Sequence, residues 1–257
     1  MSKPELLKIL GLLFLGLGFQ SALARSKYAP EVVTLARSHQ YFQNPQVLAS
    51  GFWSLISYYI PQTTPGSCGS ASLVMVLNAA LALKDRFSED AVITEKMLWK
   101  RVKPCLWGYD WKKCPKKTSG NYAGEHGVNL DQYASIARDA FEKYRMKSQV
   151  RAVHVLSRLA LQEEVLSALK NLGPRFFLIS NFNQKFFTQD TSVGHFAPVG
   201  AYDPSTRRVL ILDPDRGSSN VSGYYEPYWV PLDLFLDAMA TMDGSAFRGY
   251  LTIQVVT

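Results

Sequence analysis

The run from Ser70 to Leu83 carries no charged side chain, and its Ala, Leu, Val and Met residues leave no polar face. A helix of that composition cannot lie with one side in water, so the run predicts a buried helix that the rest of the chain must cover. Gly66-Ser67-Cys68-Gly69 stands immediately before it, which puts Cys68 in the first helical turn. The chain is 257 residues long, enough for one large domain or two small ones. With 47% hydrophobic and 19% charged residues it is neither disordered nor fibrous, and its core needs no disulfide framework.

Residues 30–60 are aromatic-rich and weakly patterned. Residues 103–125 read as a long irregular loop bearing Lys and Trp. Asn129-Leu130-Asp131-Gln132 has the form of an N-cap with a Gln reaching back, opening a helix to about Tyr144. Ser148–Val155 reads as a strand, and Leu159–Leu172 as an amphipathic helix stopped by Gly173-Pro174. Arg175–Phe182, His195–Tyr202 and Arg208–Leu212 are strand-like, with a turn at Asp203-Pro204-Ser205-Thr206. Leu232–Met239 reads as a helix and Tyr250–Val256 as a closing strand. Helices come first and strands cluster later with little βαβ alternation, so the class is α+β.

The first 24 residues have the layout of a secretory signal peptide: Lys3 and Lys8, the apolar run Ile9–Phe19, then Ser21-Ala22-Leu23-Ala24 before Arg25. The apolar run is short for a membrane span, which needs about 20 residues. Cleavage after Ala24 and a periplasmic or secreted location are expected, with no stable membrane insertion afterwards; an uncleaved amphipathic anchor is the alternative. Residues 25–257 then form the mature domain. The net charge of +7 falls by one on removal of Lys3, Lys8 and Glu5. Apart from Lys112-Lys113 and Lys116-Lys117 the basic residues are scattered, and no nucleic-acid-binding motif is present, so no nucleic-acid partner is expected.

The three cysteines are an odd count for an exported chain. Cys105 and Cys114 would close a short loop, and a disulfide there would contribute roughly 2.5–3 kcal/mol on the loop-entropy account. The alternative is a soft-metal site formed by that pair with His126. Cys68 is left as the unpaired thiol. At a helix start, backbone N–H groups and the helix dipole favour a thiolate, and glycines at 66 and 69 would let a substrate approach the sulfur. A lone cysteine is commonly just a small hydrophobe. His195, opening a strand after a polar loop, and Asp213, ending the run Val209–Leu212, change that reading. Across a hairpin Asp213 can face His195, fix its tautomer and stabilise the imidazolium, which would lower the Cys68 pKa for acyl transfer.

Gln62 with Cys68-Gly69 and Ala71–Asn78 resembles the phytochelatin synthase family. So do Gly194–Tyr202, Leu212-Asp213-Pro214-Asp215-Arg216, Tyr228–Leu232 and Arg248-Gly249-Tyr250. The blocks run in the family's order from about residue 50 to the C-terminus. The resemblance implies a papain-like fold, with an N-terminal helical part carrying the nucleophile and a C-terminal antiparallel sheet carrying His and Asp. It implies a triad of Cys68, His195 and Asp213, and an oxyanion hole from the Gln62 side chain and the Cys68 N–H. It places Arg216 and Arg248 near the substrate, where a guanidinium would bind a glutathione carboxylate, together with Gly69 and Tyr202.

The implied reaction opens on glutathione. Cys68 attacks the Cys–Gly amide, glycine leaves, and the γ-glutamylcysteinyl thioester passes to water or to a second glutathione. No resident cofactor is required. Cadmium or zinc would act as glutathione thiolate complexes; the sequence shows none of the cysteine-rich C-terminal extension of plant members, so strong metal activation is not expected. The loop Thr63–Ser67 also departs from the family, with Ser67 where an aromatic is common, which would reshape the acceptor site. The expected function is therefore a glutathione γ-glutamylcysteinyltransferase with hydrolysis dominant and glutathione as partner. A homodimer is an open possibility. The competing readings are an exported cysteine peptidase on other peptides and a non-catalytic soft-metal or thiol-peptide binding protein using Cys105, Cys114 and His126.

Overall fold

The computed structural model describes residues 27–64, 66–83, 92–102, 128–188, 192–215 and 226–256. The 1–24 segment, the Cys105–Cys114 pair, His126, the Lys-rich loop and Arg216 lie outside the described residues. Helices α1 (Ser50–Ile56), α2 (Cys68–Leu81), α3 (Glu95–Arg101) and α4 (Leu130–Lys143) occupy the first part of the chain. Strand β1 (Val33–Thr34) precedes them, and β2 (Lys147–His154) and helix α5 (Gln162–Lys170) follow. Then come β3 (Phe176–Asn183), β4 (Gly194–Asp203), β5 (Arg208–Ile211), β6 (Tyr228–Pro231), helix α6 (Leu232–Met239), β7 (Met242–Asp243), β8 (Ala246–Phe247) and β9 (Gly249–Val256).

Seven described strands form one sheet in the order β1-β6-β5-β4-β3-β9-β2, and each neighbouring pair is antiparallel. Strands β7 and β8 make a separate small ribbon. The class is α+β, with the nucleophile helix ahead of the antiparallel sheet in the chain, the layout the resemblance implied.

Packed cores flank the sheet. On one face Leu73 and Leu77 of α2, Tyr133 of α4, and Phe196, Trp229 and Leu251 of the sheet form one cluster. On the other, Val165 of α5 and Phe235 of α6 pack on Phe182, Tyr228 and Tyr250. Strand β4, at the centre, is buried from His195 to Asp203 because both faces are covered. A register shift between Val199 and Ala201 switches its side-chain parity, so Ala201 and Tyr202 exchange the faces that strict alternation would assign.

The α2 helix is buried from Cys68 to Ala80, as its all-round apolar sequence requires. Its one amide, Asn78, donates to the Ile93 carbonyl and accepts the Ile93 N–H, both at 2.9 Å, which ties the helix to the segment entering α3. The capping box at Asn129 is present: its Oδ1 accepts from the Gln132 N–H at 2.9 Å, and its own N–H donates to Gln132 Oε1 at 3.0 Å. The expected strands and the α6 helix are found within one residue of their sequence limits. Helix α5 starts later than the sequence reading, at Gln162, because the Ser157 hydroxyl captures the Ala160 N–H and holds that stretch in a turn. Among the described residues, no helix is long and apolar enough to cross a membrane.

Asn78→Ala removes both bonds to Ile93 and leaves a buried N–H and C=O unpaired. The expected loss is about 2–4 kcal/mol of stability, measured as a lower urea midpoint at unchanged m-value.

Candidate active site

The first turn of α2 is held from three sides. Gly66 adopts φ +85°, a left-handed turn that a side chain would strain. Ser67, the residue before the helix, keeps its hydroxyl inside that turn, donating to Thr64 O at 2.9 Å and accepting the Thr64 N–H at 3.1 Å. It is buried and does not cap the helix. The opening N–H groups therefore have no side-chain cap from Ser67 and no intrahelical acceptor. The buried Glu95 carboxylate accepts from Ser70 Oγ at 2.5 Å and from the Thr63 N–H at 2.8 Å, joining the pre-helix loop to the first turn. The buried Tyr133 hydroxyl donates to Gly69 O at 2.7 Å.

His195 reaches this turn from β4. The Ser72 hydroxyl donates to Phe196 O at 3.0 Å, pinning α2 to the strand beside His195. The ring packs edge-on against Phe182, with centroids 5.4 Å apart. Its Nε2 meets Asp213 Oδ1 at 2.7 Å, and Cys68 stands close enough to the ring to raise its pKa. Asp213 follows the end of β5 and is fully buried. Its Oδ1 also accepts the Asp215 N–H at 2.9 Å, and its Oδ2 accepts the Tyr228 hydroxyl at 2.7 Å. The Tyr59 hydroxyl donates to its backbone carbonyl at 2.7 Å.

Electrostatics follow from this enclosure. Burial is the largest influence on Asp213 and would raise its pKa. The His195 charge and the bonds from His195, Tyr228 and Asp215 outweigh it, holding the carboxyl below its ordinary value. Burial likewise works against a charged His195. The adjacent Asp213 and Cys68 overcome it and raise the imidazolium pKa well above its usual value. Burial first, and the charge of Cys68 second, keep the Tyr133 hydroxyl protonated.

Gln62 is buried near this group, with Nε2 donating to Asp215 Oδ1 at 3.0 Å and its backbone N–H donating to Pro214 O at 2.7 Å. The structure thus brings Cys68, His195, Asp213 and Gln62 into one network. The other expected site residues are placed differently. Tyr202 is a correction: it is buried near the far end of β4, seven residues and roughly 20 Å of strand from His195, with its backbone paired to Leu48. Gly69 packs closely on Tyr133, where a Cβ would stand 3.2 Å from the ring. Ser67, inside its turn, is spoken for in the same way. Arg248 lies along Gly194, where a Cβ would come within 3.0 Å of its Nη2. Its Nη1 donates to Thr241 Oγ1 and to Met242 O, and its Nη2 faces Asp243. Its buried Nε has no partner among the described residues.

Glu95, Tyr133, Gln184, Asp215 and Tyr228 were not singled out as site residues in the sequence. Tyr228 and Asp215 lie within family-like blocks, which is the signal that could have flagged them. Glu95 follows an N-capping Thr94, a pattern that announces a helix but not a buried carboxylate.

A family model described as phytochelatin synthase matches residues 24–250. This chain belongs to the phytochelatin synthase family. Named relatives include glutathione gamma-glutamylcysteinyltransferase 1 of Triticum aestivum, 29% identical over 211 residues, covering 79% of this chain and 36% of the relative. Glutathione gamma-glutamylcysteinyltransferase 3 of Lotus japonicus is 30% identical over 207 residues, covering 79% and 37%. The Schizosaccharomyces pombe enzyme of the same name is 27% identical over 205 residues, covering 79% and 43%. The chain thus spans little more than a third of the plant relatives' length. Among solved structures, xylellain, a cysteine protease from Xylella fastidiosa, aligns with TM-score 0.41 and 13% identity over 85% of this chain and 90% of its own. Among the described residues no group of three His, Cys, Asp or Glu side chains could hold a metal ion.

Asp213→Asn removes the charge that stabilises the His195 imidazolium, so the His195 pKa falls; NMR titration of the labelled ring measures the shift. Wild-type Asp213, lowered in the fold, contributes stability that is present above its unfolded pKa of about 3.9 and lost as pH falls through its lower folded value. Acid unfolding of Asp213→Asn is expected to lack that loss.

Proposed function

We propose that this phytochelatin synthase family member cleaves the Cys–Gly amide of glutathione through a thioester on Cys68. The observation that carries the reading is the buried group Cys68, His195 and Asp213, with His195 Nε2 on Asp213 Oδ1 at 2.7 Å and the imidazolium favoured by Asp213 and Cys68. The relatives' shared name supports glutathione as donor and the γ-glutamylcysteinyl group as the unit transferred.

The Cys68 thiolate attacks the amide carbonyl and forms the S–C bond. The oxyanion is met by the Cys68 N–H at the open helix start and by the Gln62 amide. As the C–N bond breaks, the His195 imidazolium gives its proton to the departing glycine nitrogen. The neutral His195 then takes a proton from water or from the amine of a second glutathione as its O or N bonds to the thioester carbonyl; the S–C bond breaks, Cys68 leaves as thiolate, and the product is γ-glutamylcysteine or a phytochelatin. Hydrolysis dominates in this reading. Arg216 and the Nε of Arg248 are the proposed donors to a glutathione carboxylate. Cadmium or zinc enters as part of a glutathione thiolate substrate, with no resident metal. The n-region lysines, the apolar run and the small residues before Arg25 support export to the periplasm or beyond, with cleavage after Ala24.

The test is a mass-spectrometric product assay on the reduced mature chain with glutathione, with and without cadmium or zinc. Glycine released together with γ-glutamylcysteine is expected, and Cys68→Ala should lower turnover by about four orders of magnitude with an unchanged circular dichroism spectrum. Longer γ-glutamylcysteinyl peptides as the main product would make transfer dominant. No glycine from the wild-type chain would overturn the reading.

A further inference from the structure

An oxyanion donor must offer an N–H, yet the two ends of a Gln side-chain amide are alike in shape and opposite in chemistry. A Gln that turned its oxygen toward the reacting carbonyl would repel the developing charge. Something must therefore choose the orientation of Gln62. The Asp215 carboxylate stands against it, with Oδ1 accepting from Gln62 Nε2 at 3.0 Å. A carboxylate can only accept, so the opposite orientation would set two acceptors against each other.

Asp215 is itself held at its other oxygen. Oδ2 accepts from Gln184 Nε2 at 2.6 Å. Gln184 is buried at the start of the turn that follows β3, its N–H donating to Val193 O at 3.0 Å and its carbonyl accepting the Phe187 and Thr188 N–H groups, each at 3.0 Å. The Asp215 backbone is fixed as well, through its N–H on Asp213 Oδ1 at 2.9 Å. Gln62 Oε1 is buried without a hydrogen-bond partner among the described residues. That orphaned acceptor shows that the amide is oriented for the sake of its N–H groups rather than to satisfy its oxygen.

We infer that Asp215, anchored by Gln184, is a positioning residue that locks the Gln62 amide with its N–H side available to the oxyanion formed at Cys68. The inference rests on Gln62 being the oxyanion donor of the proposed reaction. It extends the catalytic group from Cys68, His195, Asp213 and Gln62 to a support that touches no substrate.

The test compares two reactions of Cys68. p-Nitrophenyl acetate acylates the thiolate: the S–C bond forms, the C–O bond breaks, p-nitrophenolate leaves, and an oxyanion develops on the way. Iodoacetamide alkylates the same thiolate by displacing iodide, with no oxyanion. Asp215→Ala should slow acylation about 10- to 100-fold and leave alkylation within about twofold. Asp215→Asn, which can still accept from Gln62 through its amide oxygen, should restore most of the acylation rate. The double variant Gln62→Ala/Asp215→Ala should acylate no more slowly than Gln62→Ala.

Equal loss of alkylation and acylation in Asp215→Ala, additive losses in the double variant, or unchanged acylation in Asp215→Ala would each overturn the inference. If Asp215→Ala does not fold, Gln184→Ala carries the same comparison, since it frees the second carboxylate oxygen. A Gln62→Ala variant that acylates at the wild-type rate removes both the Gln62 role and this one. Neither reagent contains glutathione, so these outcomes are independent of whether glutathione is the substrate.

Discussion

A fully buried carboxylate is the constraint around which the sheet is organised. Enclosing Asp213 costs several kcal/mol in lost hydration unless its oxygens are met by donors held in place. They are met by His195 Nε2, the Tyr228 hydroxyl and the Asp215 N–H. These come from β4, from β6 and from the turn leaving β5, so they converge only because β4, β5 and β6 are neighbours in the sheet. Removing one strand would leave an uncompensated buried charge, a far larger penalty than the loss of one hydrogen bond. The same pairing that offsets the cost of burying Asp213 keeps His195 protonated. Stability and chemistry are thus set by one contact.

The thiol comes to that contact from the opposite direction. Helix α2 is apolar all round, so it is fixed by packing rather than by a solvated face, and its start is set by Glu95, Tyr133 and Ser72. These bonds reach to α3, α4 and β4. The sulfur and the ring are consequently mounted on regular elements with packed cores on both faces of the sheet. Holding reacting groups on such supports lowers the entropy still to be lost when a substrate is bound.

Much of this was legible because the relevant signals are local. The uncharged run after Cys68 announced a buried helix, Asn129 with Gln132 announced a capped one, and the apolar runs around His195 and before Asp213 announced adjacent strands. What was not legible depends on contacts distant in sequence. Glu95 reads as an ordinary first-turn acid, yet the fold buries it under the loop before Cys68. Gln184 reads as a polar residue after a strand, yet it bonds a carboxylate thirty-one positions away. Tyr202 went wrong for a geometric reason: it shares a family-like block with His195, but ten residues of extended strand carry its two ends far apart. Proximity in a motif is not proximity in a site.

The arrangement also separates two questions that the family name joins. In the proposed reaction His195 would deliver a proton to the glycine leaving group and accept one from whatever attacks next, and the oxyanion donors would serve both half-reactions. On that proposal water and a second glutathione would meet the same triad and the same Gln62 amide. Nothing in Cys68, His195, Asp213 or the Asp215 support distinguishes one acceptor from the other, because each acts on the thioester carbonyl or on a proton in flight. The choice must come from groups that bind the acceptor itself, and those contact atoms the thioester lacks. In the proposed reaction the catalytic network would set how fast the acyl group moves, and the acceptor subsite would set where it goes.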